Sequence, residues 1–138
     1  MAQTITGGCH CGAVRYRISA DPAFTGNCYC EDCRKMSGSG HVTILAVLDQ
    51  AVAVTGKLTE YTSPGGSSQP VTRRFCPKCG ARVSTSATAL PGLTLVTAST
   101  LDDPTKFTSQ MSVFASRAPS WDQPPQGLPA FAEMPPQA

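Results

Sequence analysis

The sequence predicts a mainly β fold, and three observations predict it. Residues 13–19 alternate strictly with a period of two, a series of short β-prone stretches is parted by glycine, proline and serine, and only one segment has helical character. In the first stretch Val14, Tyr16 and Ile18 alternate with Arg15 and Arg17, the pattern of a strand with one face buried. Stretches 41–48, 51–55, 58–62, 71–75, 82–86, 93–99 and 111–115 are read as strands for their β-branched and aromatic content. The helical segment spans 30–37, where Glu31, Asp32, Arg34, Lys35 and Met36 are acceptable helix formers set inside a group of cysteines. Residues 63–70, SPGGSSQP, read as a flexible hairpin-like connection. Residues 119–138, which hold six of the twelve prolines, read as a tail that wraps the surface or frays.

The 138 residues fit a single domain, 1–138, with enough apolar side chains for one core but little to spare. A metal clip would therefore matter to stability. A net charge of +2 and 14% charged residues provide no basic surface able to neutralise many phosphates, so nucleic acid is not an expected partner. No apolar run reaches membrane-spanning length, and the amino terminus has no cationic segment followed by an apolar one. The expected setting is the cytoplasm, without membrane attachment. Seven cysteines kept reduced there cannot all pair, which favours metal binding over a disulfide framework.

The cysteines fall into three groups: Cys9 and Cys11, then Cys28, Cys30 and Cys33, then Cys76 and Cys79. CPKCG at 76–80 has the pattern of a zinc knuckle, a tight turn that aims two sulfurs at one ion. On an extended chain the side chains of Cys9 and Cys11 leave the same face, so this pair suits the other half of a closed four-sulfur site. Cys28, Cys30 and Cys33 lie within six residues and can reach a second ion, leaving its fourth position open. Two zinc ions per chain are expected, the first structural and the second catalytic. Three thiolates make a zinc ion a weak acid toward water, and better suited to holding a substrate sulfur as thiolate. Arg34 and Lys35 follow the last ligand and can offset its negative charge or meet an anionic substrate.

His41, opening an apolar strand, reads as a packed or edge residue rather than a ligand. His10 is expected to point away from the metal. Arg73 and Arg74 read either as the solvated side of a strand or as substrate contacts, and Trp121 reads as an anchor for the core or the tail.

The segments GGCHCGAVRYRI, NCYCEDCRKMSGS and RRFCPKCGARV, with LDDP at 101–104, Ser120 and Trp121, and GLPAF at 127–131, resemble the glutathione-dependent formaldehyde-activating enzyme family, which also includes centromere protein V. The resemblance implies several small antiparallel sheets built around zinc knuckles, like the fold of the Rab exchange-factor and chaperone proteins. It implies a structural zinc on Cys9, Cys11, Cys76 and Cys79 and a catalytic zinc on Cys28, Cys30 and Cys33. The implied activity is that of a carbon–sulfur lyase that adds formaldehyde, or another small carbonyl, to glutathione or a similar thiol, giving S-hydroxymethylglutathione. Two features depart from the family pattern: Ser112 stands where members often carry histidine, and the stretch between the second cysteine group and the knuckle is short. The rival readings are a non-catalytic zinc-binding module for a protein partner and a redox protein using Cys30 and Cys33.

Overall fold

The computed structural model describes residues 4–65 and 68–135. These form β1 (Ile5–Gly8), β2 (Arg15–Ile18), β3 (Phe24–Cys28), α1 (Glu31–Ser37), β4 (Val42–Leu48), β5 (Val52–Thr55), β6 (Thr59–Pro64), β7 (Pro70–Phe75), β8 (Arg82–Ala87), β9 (Leu93–Thr97) and β10 (Ser112–Val113), with short 3-10 turns between some of them. They group into two units, one within Met1–Phe24 and Leu45–Phe107, the other within Thr25–Ile44 and Thr108–Ala138. The mainly β expectation holds, with one short helix.

In the first unit β2 is the centre of a three-stranded antiparallel sheet, β1-β2-β5, with Ile5 opposite Ile18 and Ile18 opposite Val52. Val14, Tyr16 and Ile18 are buried while Arg15 and Arg17 are exposed, as the period of two requires. They join Leu45, Val47, Val83, Val96 and Leu101 in one hydrophobic core. Each of these side chains contributes about 1.5–3 kcal/mol by leaving water. Strands β9-β8-β7-β6 pair antiparallel in that order. Pro64 pairs with Pro70, so β6 and β7 make the expected hairpin, although Gly66 and Ser67 of its tip lie outside the described residues. The β7–β8 register shifts between Arg74 and Phe75, just before the knuckle, and such a bulge re-aims the chain that follows.

Arg73 corrects one expectation. It is only 4% exposed, and its Nη1 donates to Ser63 Oγ at 3.0 Å, so it does not lie on a solvated strand face. Arg74 donates through Nε to Glu60 and through Nη1 to Ser86, each at 2.8 Å.

The second unit has a different interior. Tyr29 and Val42 are its buried hydrophobics, and Thr25, Asn27 and Ser112 are buried beside them. Such polar groups must be hydrogen-bonded to be stable. Thr25 Oγ1 donates to the Thr108 carbonyl at 2.6 Å, and Asn27 Nδ2 to Ser112 Oγ at 3.4 Å. β10 runs parallel to β3, with Ser112 opposite Asn27 and Val113 opposite Cys28. The proline-rich tail wraps rather than frays over its described part: Phe131 N donates to the Ser112 carbonyl, and Ala115 N to that of Phe131, both at 2.9 Å. Trp121 is not the expected anchor. It is 69% exposed, in a turn closed by Asp122 N donating to the Pro119 carbonyl.

Strands β1 and β3 were not expected. In ITGG and FTGNC glycine and asparagine interrupt the β-prone Ile5, Thr6, Phe24 and Thr25, so no alternation marks them, and pairing with β2 and with β10 completes them as strands. Conversely 111–115 holds only two strand residues, since Phe114 turns into the left-handed region at φ 53.

Candidate metal centres

The first cysteine group lies wholly in the first unit. Cys9 follows β1, its N–H donating to the Val14 carbonyl at 3.0 Å while Val14 N–H donates to its Sγ at 3.2 Å. That reciprocal turn holds Cys11 out beside it. Across the unit, Cys76 leaves β7 and its Sγ accepts from the N–H groups of Lys78 and Cys79 at 3.4 and 3.5 Å. Gly80, at φ 78, supplies the left-handed step that closes the knuckle, which a residue with a Cβ adopts only under strain. The four sulfurs of Cys9, Cys11, Cys76 and Cys79 all lie within 4.8 Å of one another.

Their spacing fits a tetrahedral ion. A zinc ion about 2.3 Å from each of four sulfurs sets neighbouring sulfurs about 3.8 Å apart. Cys9 and Cys11 are separated by 3.7 Å, and Cys11 and Cys76 by 3.8 Å, far too long for a disulfide. Without a cation Cys79 and Cys11 are driven in opposite directions. Backbone N–H groups of Ala81 and Cys11 draw Cys79 down to about 6, whereas Cys11, against the pull of the Ala13 N–H, is pushed up to about 11 by desolvation and then by its contacts with Cys9, Cys76 and Cys79.

The second group lies wholly in the second unit. Cys28 ends β3, Cys30 caps α1 and Cys33 sits in its first turn. The Cys33 N–H donates to Cys30 Sγ at 3.3 Å, so the sulfur does the work that serine or aspartate does at most helix starts. Hydrogen bonds from Cys28, then Cys33, hold Cys30 down to about 2, while those same contacts drive Cys28 far above the ordinary thiol range. Three sulfurs gathered this closely, with Cys30 favoured as the thiolate, make an arrangement suited to a cation. The three sulfurs lie within 4.8 Å of one another, and among the described residues no histidine, aspartate or glutamate joins them as a fourth ligand.

The helix they anchor has no fully buried residue and only seven residues in all, too few to persist on propensity alone. Glu31 and Asp32 lie in its first turn, and Lys35 reaches back to Glu31 at 3.2 Å. Arg34 is half-buried and Lys35 exposed. His10 is exposed and lies outside the first cluster. His41 lies outside the second, with its Nδ1 2.6 Å from Asp122 Oδ2 and its ring centroid 4.7 Å from that of Tyr29. Sequence reasoning missed Asp122 altogether, since a lone acid in a proline-rich tail carries no periodic or motif signal. Ser112 is fully buried, with no exposure to a substrate. A cavity of about 270 Å³ lies in the first unit, lined in part by Tyr16, Leu58 and Arg74, and includes no cysteine.

Comparison with known proteins bears on these clusters. Residues 4–117 match the family described as glutathione-dependent formaldehyde-activating enzyme. A protein of Halomonas elongata, provisionally named a glutathione-dependent formaldehyde-activating enzyme, is 32% identical over 124 residues, covering 85% of this chain and 78% of its own. A crystal structure of a Rhodobacter sphaeroides protein superposes with a TM-score of 0.59 at 19% identity, covering 91% of this chain and 98% of that one, a likeness of fold. No helix among the described residues is long and apolar enough to cross a membrane.

Proposed function

Since the chain belongs to the glutathione-dependent formaldehyde-activating enzyme family, we propose that it is a carbon–sulfur lyase joining a small thiol, glutathione or a close relative, to formaldehyde or another small carbonyl. The observation that carries this reading is the trio Cys28, Cys30 and Cys33, whose sulfurs converge without a fourth ligand among the described residues. These three would hold a catalytic zinc, and Cys9, Cys11, Cys76 and Cys79 a structural one. A zinc bound by three thiolates supplies deprotonation and orientation of a fourth sulfur.

The chain's own residues do the rest. The cap from Cys33 N–H to Cys30 Sγ and the hydrogen-bonded pairing of β3 with β10 fix the sulfurs before substrate arrives, which is the pre-organisation a reactive site needs. Arg34, immediately after Cys33, provides a cation for the carboxylates of a peptide thiol, and Lys35 a second, partly offset by Glu31. The reaction forms one sulfur–carbon bond, opens the carbonyl double bond and moves the thiol proton to oxygen. A cytoplasmic setting, with its reduced thiol pool, suits both the cluster and the substrate.

The test is native mass spectrometry with a glutathione titration of wild type and Cys30→Ser. Two zinc ions per chain in wild type, one in the variant, and glutathione binding in wild type alone are the expected results. Equal glutathione affinity in both proteins would move the assignment to a non-catalytic zinc-binding module.

A further inference from the structure

The cavity of about 270 Å³ in the first unit is lined by no cysteine, and nothing in the thiol chemistry above employs it. We propose that it is a binding site for a small carboxylic acid with a short apolar body, its carboxylate held by Arg74, Ser84 and Ser86 and its hydrocarbon part by Tyr16, Val52, Val54 and Leu58.

The two walls of the cavity differ in character. β2 and β5, paired in the three-stranded sheet, supply Tyr16, Val52 and Val54, and Leu58 stands just before β6. Val54 is 43% exposed, so this wall leaves apolar surface to water that a hydrocarbon ligand would cover. The opposite wall comes from β7, β8 and β9. Arg74 stands opposite Ser84 in the β7–β8 ladder, and Ser86, two residues on from Ser84, faces the same side.

That polar wall has donors to spare. Arg74 Nη1 donates to Ser86 Oγ at 2.8 Å, so the serine keeps its own O–H to give. Ser84 is only 6% exposed, and among the described residues its Oγ has no hydrogen-bond partner. A hydroxyl so buried is normally paired, and here it lines an open space. Arg74 Nε already holds one carboxylate, that of Glu60 at 2.8 Å, whose side chain is 56% exposed. An ion pair that open is weak, and the guanidinium has further N–H donors beyond these two contacts. A carboxylate, which accepts at both oxygens, is the group such a set of donors suits.

The far end of the cavity limits what enters. Asp49 lies there, accepting from Thr94 Oγ1 at 2.7 Å, beyond β9 and so about 10 Å from Arg74 by the spacing of strands. Its charge opposes a second carboxylate, which favours monocarboxylic over dicarboxylic acids. The volume is smaller than the roughly 300–1,000 Å³ of sites for drug-sized ligands, which restricts the occupant to a small metabolite.

The experiment titrates the zinc-loaded protein with hexanoate, hexanamide, hexylamine and adipate and follows the backbone amide shifts by NMR. Hexanoate is expected to give saturable shifts centred on residues 52–54 and 84–86, unchanged in Cys30→Ser. Hexanamide and hexylamine should bind about tenfold or more weakly, for want of the charge-assisted contacts. Arg74→Gln should bring hexanoate to the level of hexanamide, and Ser84→Ala should weaken it about fivefold, the worth of one hydrogen bond. Asp49→Asn should tighten adipate and leave hexanoate as it was. Melting temperatures separate lost binding from lost fold, and Arg74→Lys, which keeps the charge without the planar fork, should bind with intermediate affinity. Shifts that scatter or never saturate overturn the proposal, as do equal affinities for hexanoate and hexylamine or a folded Arg74→Gln that binds hexanoate as wild type does. A titration abolished by Cys30→Ser would place the acid at the cysteine trio and overturn it equally.

Discussion

The Sγ of Cys11 lies 3.8 Å from the Sγ of Cys76, 65 residues further along the chain. Nothing in the local backbone requires that meeting; the two segments come together at a point where a tetrahedral ion would hold them. A structural zinc contributes about 10 kcal/mol or more of apparent folding free energy in small domains, comparable to the whole net stability of such a chain. Cys76→Ser or Cys9→Ser is therefore expected to lower stability by several kcal/mol, about 3 or more, read by thermal unfolding. A variant melting at the wild-type temperature would remove the closed site.

Helix α1 should depend on the trio rather than on packing. It buries no residue fully and its cap is a cysteine sulfur. Cys30→Ser, or removal of the more accessible ion with a chelator, should speed amide exchange across residues 31–37 by at least tenfold and leave the core strands β8 and β9 protected. Uniform protection in the presence and absence of metal would show the helix to be self-sufficient.

Thiol binding should require a dissociable proton. S-methylglutathione cannot become a thiolate, and it should bind at least tenfold more weakly than glutathione, a loss of about 1.4 kcal/mol. Calorimetry in two buffers of different ionisation enthalpy should detect a proton released on glutathione binding and none with the S-methyl compound.

Arg34 should matter more than Lys35 to an anionic substrate. Lys35 already meets Glu31 at 3.2 Å in open solvent, while Arg34 is half-buried. Arg34→Ala should weaken glutathione binding and flatten its dependence on ionic strength, with zinc content unchanged. Lys35→Ala should do the same by a smaller factor. The opposite order would place the substrate carboxylates elsewhere.

Asp102 offers a pH test with a defined sign. The Arg15 guanidinium, and then the Thr6 hydroxyl, hold its carboxyl below the ordinary range. A lowered folded value means that stability is fully present above the unfolded value of about 3.9 and is lost as pH falls through the folded one. Asp102→Asn should therefore be less stable than wild type at pH 7, with a gap that closes as pH drops below about 4. The gap is read as a difference, because acid protonates the cysteine sulfurs in both proteins alike. A gap constant from neutral to acid pH would show the ion pair to be without effect.

Much of the chain was legible before folding. The alternation of Val14, Tyr16 and Ile18 with two arginines stated which face of β2 is buried, because a strand's period is local geometry. The spacing of Cys76 and Cys79 around a tight turn, and of three cysteines within six residues, stated which sulfurs would gather, because short loops leave little choice of direction. The strands at 41–48, 71–75 and 82–86 were found within a residue or two of their bounds.

The tertiary structure decided what depends on chain segments with no local preference. β1 and β3 are too short and too interrupted by glycine to declare themselves and are completed by pairing, and β3 is what delivers Cys28. Arg73 is buried because β7 lies between β6 and β8 and Ser63 can receive its guanidinium, a fact about neighbours that composition cannot express. Residues 122 and 41 meet because a turn in the tail carries an aspartate 81 positions back to a glycine-lined space beside the histidine. Short-range sterics write metal knuckles and strand faces into the sequence itself, whereas the pairing of distant polar groups is fixed only when folding removes water from between them.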